Sequence, residues 1–208
     1  MATQPQHDSK TKLLDAALQV IRSKGYAGTT VDDICRQAGV TKGSFFHHFK
    51  GKDQLALTAV AHWREMTEAL FASAPYRQAK DPLERLLGYV DFREAILTGE
   101  LPDYTCLLGT LIQETYATHP AIRMACERAL SAHVAELTRD IEADRNLHTP
   151  KSTWSPESLG NFIQTVLQGA FIFAKAKQSP ETVRESLAHL RRYLRELFGS
   201  SHHIKVKA

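Results

Sequence analysis

An all-helical chain is expected from three features of the sequence. Apolar residues recur at spacings of three and four almost everywhere. No stretch alternates apolar and polar residues as a half-buried strand does. Helix-start and helix-stop residues punctuate these apolar patterns, dividing them into about nine helices.

The first pattern lies in "KTKLLDAALQVIRSKG" (10–25), where Leu13, Leu14, Ala17, Leu18 and Ile21 form one stripe and Gly25 ends it. Thr30, with Asp33 three residues on, makes a capping-box-like start for a short helix that stops at Gly39. Thr41 caps the next helix, which runs to about Phe49. Lys52 or Asp53 opens a longer one, through about Phe71. After a break from Pro75 to Asp81, a helix starts on Pro82 and ends at Gly99. Helices over 103–118 and 120–144 follow, separated around His119-Pro120. A polar loop (146–154) leads to two helices over 155–177 and 179–199. Both begin Ser-Pro-Glu: a cap, a proline and an acid at the positive end of the helix dipole. Residues 200–208 are expected to be a disordered tail.

The 208-residue length suffices for one or two small domains with a sizeable core. No apolar run approaches the roughly 18 residues that span a bilayer, and the N-terminus has no apolar stretch after its charges. The expected location is the cytoplasm, with no membrane partner. Three cysteines, Cys35, Cys106 and Cys126, do not make a disulfide framework. The absence of CxxC, HExxH, GxSxG and glycine-rich phosphate loops argues against an enzyme, a metal site or a cofactor. The net charge of +3 is carried by residues 1–53, with eight basic and five acidic residues, while the remainder is balanced. That asymmetry suits a polyanion-facing N-terminal module.

The stretch "GVTKGSFFHHFKGK" (39–52) holds the functional signal. Two short helices joined at Gly39 make a helix-turn-helix candidate. Phe45 and Phe49, four residues apart, share a face and are expected to lock the second helix onto Leu14, Leu18 and Ile34. That leaves Lys42, Gly43, Phe46 and His47 for base edges. Thr30, Thr41, Ser44, His48 and Lys52 lie where hydroxyls, amides and cations meet phosphates. Adjacent His47 and His48 point about 100° apart on a helix, which disfavours a shared metal.

Residues 25–55, "GYAGTTVDDICRQAGVTKGSFFHHFKGKDQL", resemble the DNA-binding domain of the TetR family of bacterial repressors. That family's pattern is Gly-(Phe/Tyr)-x-x-(Thr/Ser)-(Thr/Ser)-x-x-x-Ile-x-x-x-Ala-Gly-Val-(Ser/Thr)-x-Gly-(Ser/Thr)-(Leu/Phe/Ile)-Tyr-x-(His/Tyr)-Phe-x-x-Lys. The chain matches nearly all of it from Gly25 to Lys52. One departure is Phe46, where the family usually has a tyrosine. A phosphate hydrogen bond is thereby lost, although the ring can still meet a thymine methyl or a sugar.

The resemblance implies a helix-turn-helix domain over 1–53 and a helical ligand-binding and dimerisation domain over 54–199. It also implies a homodimer on a palindromic double-stranded operator, released by a small-molecule or electrophilic inducer. The family dimerises through its last two helices. Here Phe162, Val166, Ala170, Val183, Leu187, Leu190 and Leu194 supply apolar positions on both. Trp63, Met66, Tyr89, Phe92, Ile96, Tyr116 and His133 are candidates to line a ligand pocket. Cys106, followed by Leu107, lies near a helix start, and Gly169-Ala170 precede Ala174-Lys175. This resembles the electrophile- and oxidant-sensing, N-ethylmaleimide-responsive branch, with Cys106 and Lys175 as the sensing pair. Cys35 and Cys126 fit helical apolar patterns and are expected in the core. Two rivals of other classes are a thiol-reactive helical enzyme using Cys106 and a small-molecule carrier that no longer binds DNA.

Overall fold

A computed structural model of the chain describes residues 5–199, with side chains from Ser9 onward. The tail expected over 200–208 lies outside the described residues. Within them are ten α-helices and no strand. The helices are α1 (Pro5–Lys24), α2 (Val31–Ala38), α3 (Lys42–His48), α4 (Lys52–Ala72), α5 (Pro82–Ala95), α6 (Leu101–Tyr104), α7 (Leu107–Thr115), α8 (Pro120–His148), α9 (Pro156–Lys177) and α10 (Glu181–Gly199). A 3-10 turn, Pro75–Gln78, lies between α4 and α5.

The extra helix arises where one was expected over 103–118. Pro102 starts the short α6, and Asp103 caps the backbone N–H of Glu100 at 2.8 Å. The Arg22 guanidinium then takes the carbonyls of Asp103 and Thr105, both at 3.3 Å. Those carbonyls would otherwise accept from the next turn, so the chain breaks at Thr105 and restarts with Cys106 as the N-cap of α7.

The chain divides into two compact units, and the expected boundary at residue 53 falls inside the first turn of α4. The first unit comprises the described residues to Ala69 with Glu100–Leu130. Its single core joins Leu13, Leu18 and Ile21 of α1 to Ile34, Phe45, Phe49 and Leu55, and to Leu107, Leu111, Ile122 and Cys126. The buried Cys35 and Cys126 belong to it, as their apolar surroundings predict. Burial pushes the Cys126 thiol up to about 12.

The second unit comprises Leu70–Gly99 and the chain from Ser131 onward. α10 buries Val183, Leu187, Leu190, Leu194 and Phe198 as one stripe and packs against α9 and α5. This corrects the expected dimer surface. Ala170, Val183, Leu187, Leu190 and Leu194 are each no more than 4% exposed within one protomer, leaving almost no area for a partner. The i, i+4, i+7 spacing of the α10 leucines is that of any amphipathic helix facing its own core. Phe162 and Val166 do reach the surface.

Beside this core, Tyr89 Oη meets His133 Nε2 at 3.0 Å and accepts from Gln164 Nε2 at 3.1 Å. Phe71, Tyr76 and Phe92 stack around Tyr89 or one another. Burial lowers His133 to about 3, so it is neutral here. Of the suggested pocket residues, Tyr89, Phe92 and His133 therefore come together. Met66 and Tyr116 are exposed, and Trp63 belongs to the first unit, under the Arg22 guanidinium.

Asp144 is wholly buried at the end of α8, and neither carboxylate oxygen accepts a hydrogen bond. Burial pushes it up to about 6, offset by His148 and Arg85 and reinforced by Asp81. A carboxyl that holds its proton more tightly when folded stabilises the fold fully below its unfolded value. That contribution is lost as pH rises through about 6. Asp144→Asn is therefore expected to raise stability by about 1 kcal/mol at pH 8 and to be nearly neutral at pH 4. Thermal melts at the two pH values test this; an equal shift at both would sink it.

Candidate nucleic-acid interface

The helix-turn-helix is assembled by local chemistry. Thr30 caps α2: its side chain accepts from Asp33 N–H at 3.1 Å, and Asp33 in turn accepts from Thr30 N–H at 3.1 Å. Lys24 and Thr30 hold the Asp33 carboxyl well below the usual range. Gly39 closes α2 with φ +66°, a left-handed conformation that L side chains rarely adopt. Thr41 caps α3, accepting from Ser44 N–H at 3.2 Å. Phe45 and Phe49 are 0% and 2% exposed, in the same core as Leu14, Leu18 and Ile34.

With that face buried, α3 turns Lys42, Gly43, Phe46 and His47 to solvent. Phe46 is 57% exposed, although its ring stacks edge-on against Phe45. A side chain at Gly43 would meet nothing nearer than Thr41 Oγ1 at 3.6 Å, so no internal contact demands glycine there. Lys42 pairs with Asp32 at 2.7 Å across the turn. This surface pair is weak and can be exchanged for a stronger anion.

The residues expected to hold phosphate divide into two groups. Thr41 is exposed at the α3 start, and Ser44 is half-buried one turn in. Thr30 is exposed, but its hydroxyl already serves Asp33. His48 is half-buried and meets Ser9 at 2.8 Å, and burial, His47 and Lys10 lower its pKa. Lys52 donates to the carbonyls of Tyr26 and Thr29 at 2.9 and 3.0 Å and lies 4.3 Å from the Tyr26 ring centroid. It staples the turn before α2. Sequence reasoning passes over Lys50 and Arg36, exposed cations of the same domain. Spacing in a short polar run does not distinguish a stapling lysine from a free one.

Cys106 is half-buried at the α7 N-cap, where its side chain makes no capping hydrogen bond. The nearby cation in its own unit is Arg22, whose charge is raised in stability by Asp103 and Cys106 against a larger burial cost that brings it to about 10. Arg22 was not among the expected site residues, because a basic residue in a last helical turn reads as a dipole partner. Lys175 is half-buried in the last turn of α9, in the second unit.

Residues 13–59 match the N-terminal family model described as bacterial regulatory proteins, tetR family. Residues 82–190 match the model described as the tetracyclin repressor-like C-terminal domain. The transcriptional repressor DhaR of Mycobacterium sp. (strain GP1) is 24% identical over 175 residues, 84% of this chain and 86% of that protein. The transcriptional regulator AcuR of Cereibacter sphaeroides is 28% identical over 81% of this chain and 77% of its own length. The repressor NemR of Escherichia coli is 24% identical over 89% of this chain and 94% of its own length. The crystal structure of reduced E. coli NemR superposes with a TM-score of 0.76 at 22% identity, covering 89% of this chain and 96% of that one. A TetR regulator from Chloroflexus aurantiacus superposes at 0.80 with 20% identity, over 92% and 96%. These structures share the fold.

Proposed function

Because the chain belongs to the TetR family of bacterial regulatory proteins, we propose that it represses transcription as a homodimer on a palindromic DNA operator, from which an inducer releases it. The observation that carries this reading is α3. Its two core phenylalanines hold Lys42, Gly43, Phe46 and His47 outward on two helical turns, a shape that enters a major groove. In this reading those four residues face bases. Thr30, Thr41 and Ser44 serve phosphates, while Lys52 and His48 hold the helices that present them. No helix among the described residues is long and apolar enough to cross a membrane.

Repression, where the family model itself says only regulation, is supported by the similarity to DhaR and NemR, both transcriptional repressors. For the inducer, the reading favours a reactive electrophile or oxidant acting on Cys106. It rests on the half-exposed thiol at the start of α7, which makes no capping hydrogen bond and is open to reagents.

The experiment is fluorescence anisotropy on the chain's own upstream DNA at two salt concentrations, with and without N-ethylmaleimide. Tight, salt-sensitive binding is expected, lost on treatment and retained in treated Cys106→Ser. Lys42→Ala is expected to change which sequence is preferred, by roughly tenfold at one base position. Binding that tolerates N-ethylmaleimide would send the search to a reversible ligand, and equal affinity for every sequence would overturn the operator reading.

A further inference from the structure

Two adjacent acids lie in the first turn of α2, and the fold uses only one of them. Asp33 accepts from the Thr30 N–H at 3.1 Å, the Thr30 hydroxyl at 2.8 Å, Lys24 at 2.9 Å and Arg36 at 3.3 Å. Its side chain is 14% exposed. Asp32 takes no part in that network. Its side chain is 52% exposed, and its ion-pair partner is Lys42, whose ammonium lies 2.7 Å away across the turn. Thr30 and Asp33 already cap this helix start, so a second acid adds only a weak attraction to the dipole.

The backbones that carry the Asp32–Lys42 pair are fixed. Thr30 caps α2 and Thr41 caps α3. Between them the Gly39 N–H bonds the carbonyls of Arg36 and Cys35, and the Val40 N–H bonds the Cys35 carbonyl at 3.0 Å. The wholly buried Phe45 seats α3. Lys42 is the first residue of α3, at the end of a recognition helix that meets base edges. Asp32 therefore brings a negative charge to a surface that faces DNA, where phosphates repel it. A hydrogen-bond donor on the base edges offsets that repulsion, and phosphates offer none.

A G·C pair presents the matching groups in the major groove. Guanine N7 and O6 accept, and the cytosine N4 amine beside them donates. O6 and N4 are hydrogen-bonded to each other, about 2.9 Å apart, close to the spacing of the lysine and aspartate groups. We infer that Asp32 is a base-reading residue, and that it and Lys42 together read one G·C pair in each half-site of the operator. This rests on the regulator reading above and gives it a base preference. Lys42 donates to guanine O6 and N7, while Asp32 accepts from cytosine N4. A T·A pair keeps the order of acceptor and donor through thymine O4 and adenine N6, but sets a methyl where N7 stood. A·T and C·G reverse the order, which puts the ammonium against an amine and the carboxylate against an oxygen. On unrelated DNA, Lys42 must leave Asp32 to reach a phosphate, and the carboxylate then faces the duplex unpaired.

The test is selection of DNA from a random pool by the wild-type protein, Lys42→Ala and Asp32→Asn. Anisotropy then follows on the selected duplex, with each of the four base pairs placed at the Lys42-dependent position of both half-sites. The wild type is expected to bind G·C best, T·A roughly fivefold less tightly per half-site, and A·T or C·G at least roughly 50-fold less tightly. Lys42→Ala keeps only the acceptor, and is expected to bind G·C and T·A within about twofold of each other. The amide of Asp32→Asn both donates and accepts, so its penalty for A·T and C·G is expected to fall to about fivefold. With one negative charge fewer, Asp32→Asn is also expected to bind unrelated DNA about threefold more tightly. Its melting temperature is expected to stay within about 2 °C of the wild type, as for other surface substitutions. An Asp32→Asn protein that melts earlier and binds every duplex more weakly would make Asp32 a helix-start residue only, and overturn the inference. So would an unchanged base preference, or a change at a position that Lys42→Ala leaves alone. An operator selected without G·C at the Lys42-dependent position would overturn the inference and leave the regulator reading standing. A wild-type protein that selects no DNA would overturn both.

Discussion

Replacing Phe173 with aspartate is expected to turn a dimer into a monomer and to lower operator affinity at least about 100-fold. α9 carries two apolar stripes. Leu159, Ile163, Leu167, Ala170 and Ala174 are buried against the chain's own core. A second stripe, about 90° round the helix, runs through Phe162, Val166, Gly169 and Phe173, with Ile172 alongside. Phe173 is 58% exposed and Phe162 43%. A Cβ at Gly169 would meet nothing within 4 Å, which leaves room for a second helix to come close. Tyr193 of α10 continues this surface, its ring centroid 5.3 Å from that of Phe162. A large ring fully buried contributes about 2–3 kcal/mol, and a two-fold axis counts each residue twice. Aspartate there removes that contribution and sets two carboxylates against each other in a drying interface. Sedimentation velocity reads the state directly. A Phe173→Asp protein that stays dimeric at micromolar concentration would move the interface elsewhere. Loss of the dimer without loss of operator affinity would mean that one copy suffices for DNA.

The two apolar stripes of α9 also show what the sequence makes legible and what it does not. Caps and turns were read correctly because their chemistry is local. Thr30 with Asp33, Gly39, Thr41 and Ser155 sit within three or four residues of the groups they satisfy. The burial of Phe45 and Phe49 was legible for a similar reason, since a two-turn helix has only one face to bury. Periodicity says which residues share a face but not what covers it. The α10 leucines therefore look available to a partner from their spacing alone, although α9 and α5 already pack against that helix. Long-range polar contacts left no local trace at all. Nothing in "QVIRSKG" marks Arg22 as the side chain that breaks the helix expected over 103–118. Nothing near Lys52 reveals that its ammonium faces two carbonyls 23 and 26 residues earlier. The same limit applies to Asp144, whose charge environment includes Asp81 and Arg85, about 60 residues earlier in the chain.

Phe45 and Phe46 are adjacent phenylalanines for which opposite outcomes are expected, and the pair tests the interface most sharply. Phe45 is wholly buried, with its ring against Phe46 and Phe49. Phe45→Ala is expected to cost about 3–5 kcal/mol, since it leaves a cavity in a core that α1, α2 and α3 share. DNA binding is then lost because α3 is no longer held, and loss extends to every sequence, specific or not. Phe46 points away from that core. Phe46→Ala is expected to change stability by about 0.5 kcal/mol or less, as surface substitutions do. Its effect falls on recognition instead: about tenfold weaker binding to the operator, with little change on unrelated DNA, because an apolar ring reads base and sugar surface and carries no phosphate charge. Phe46→Tyr would add a hydroxyl able to donate to phosphate, and is expected to tighten both kinds of DNA alike. Thermal melts and anisotropy on the two DNAs separate these cases. If Phe46→Ala bound both DNAs as tightly as the wild type, the exposed ring would lie outside the interface. If instead it melted as early as Phe45→Ala, it would belong to the core that the structure assigns to its neighbour alone.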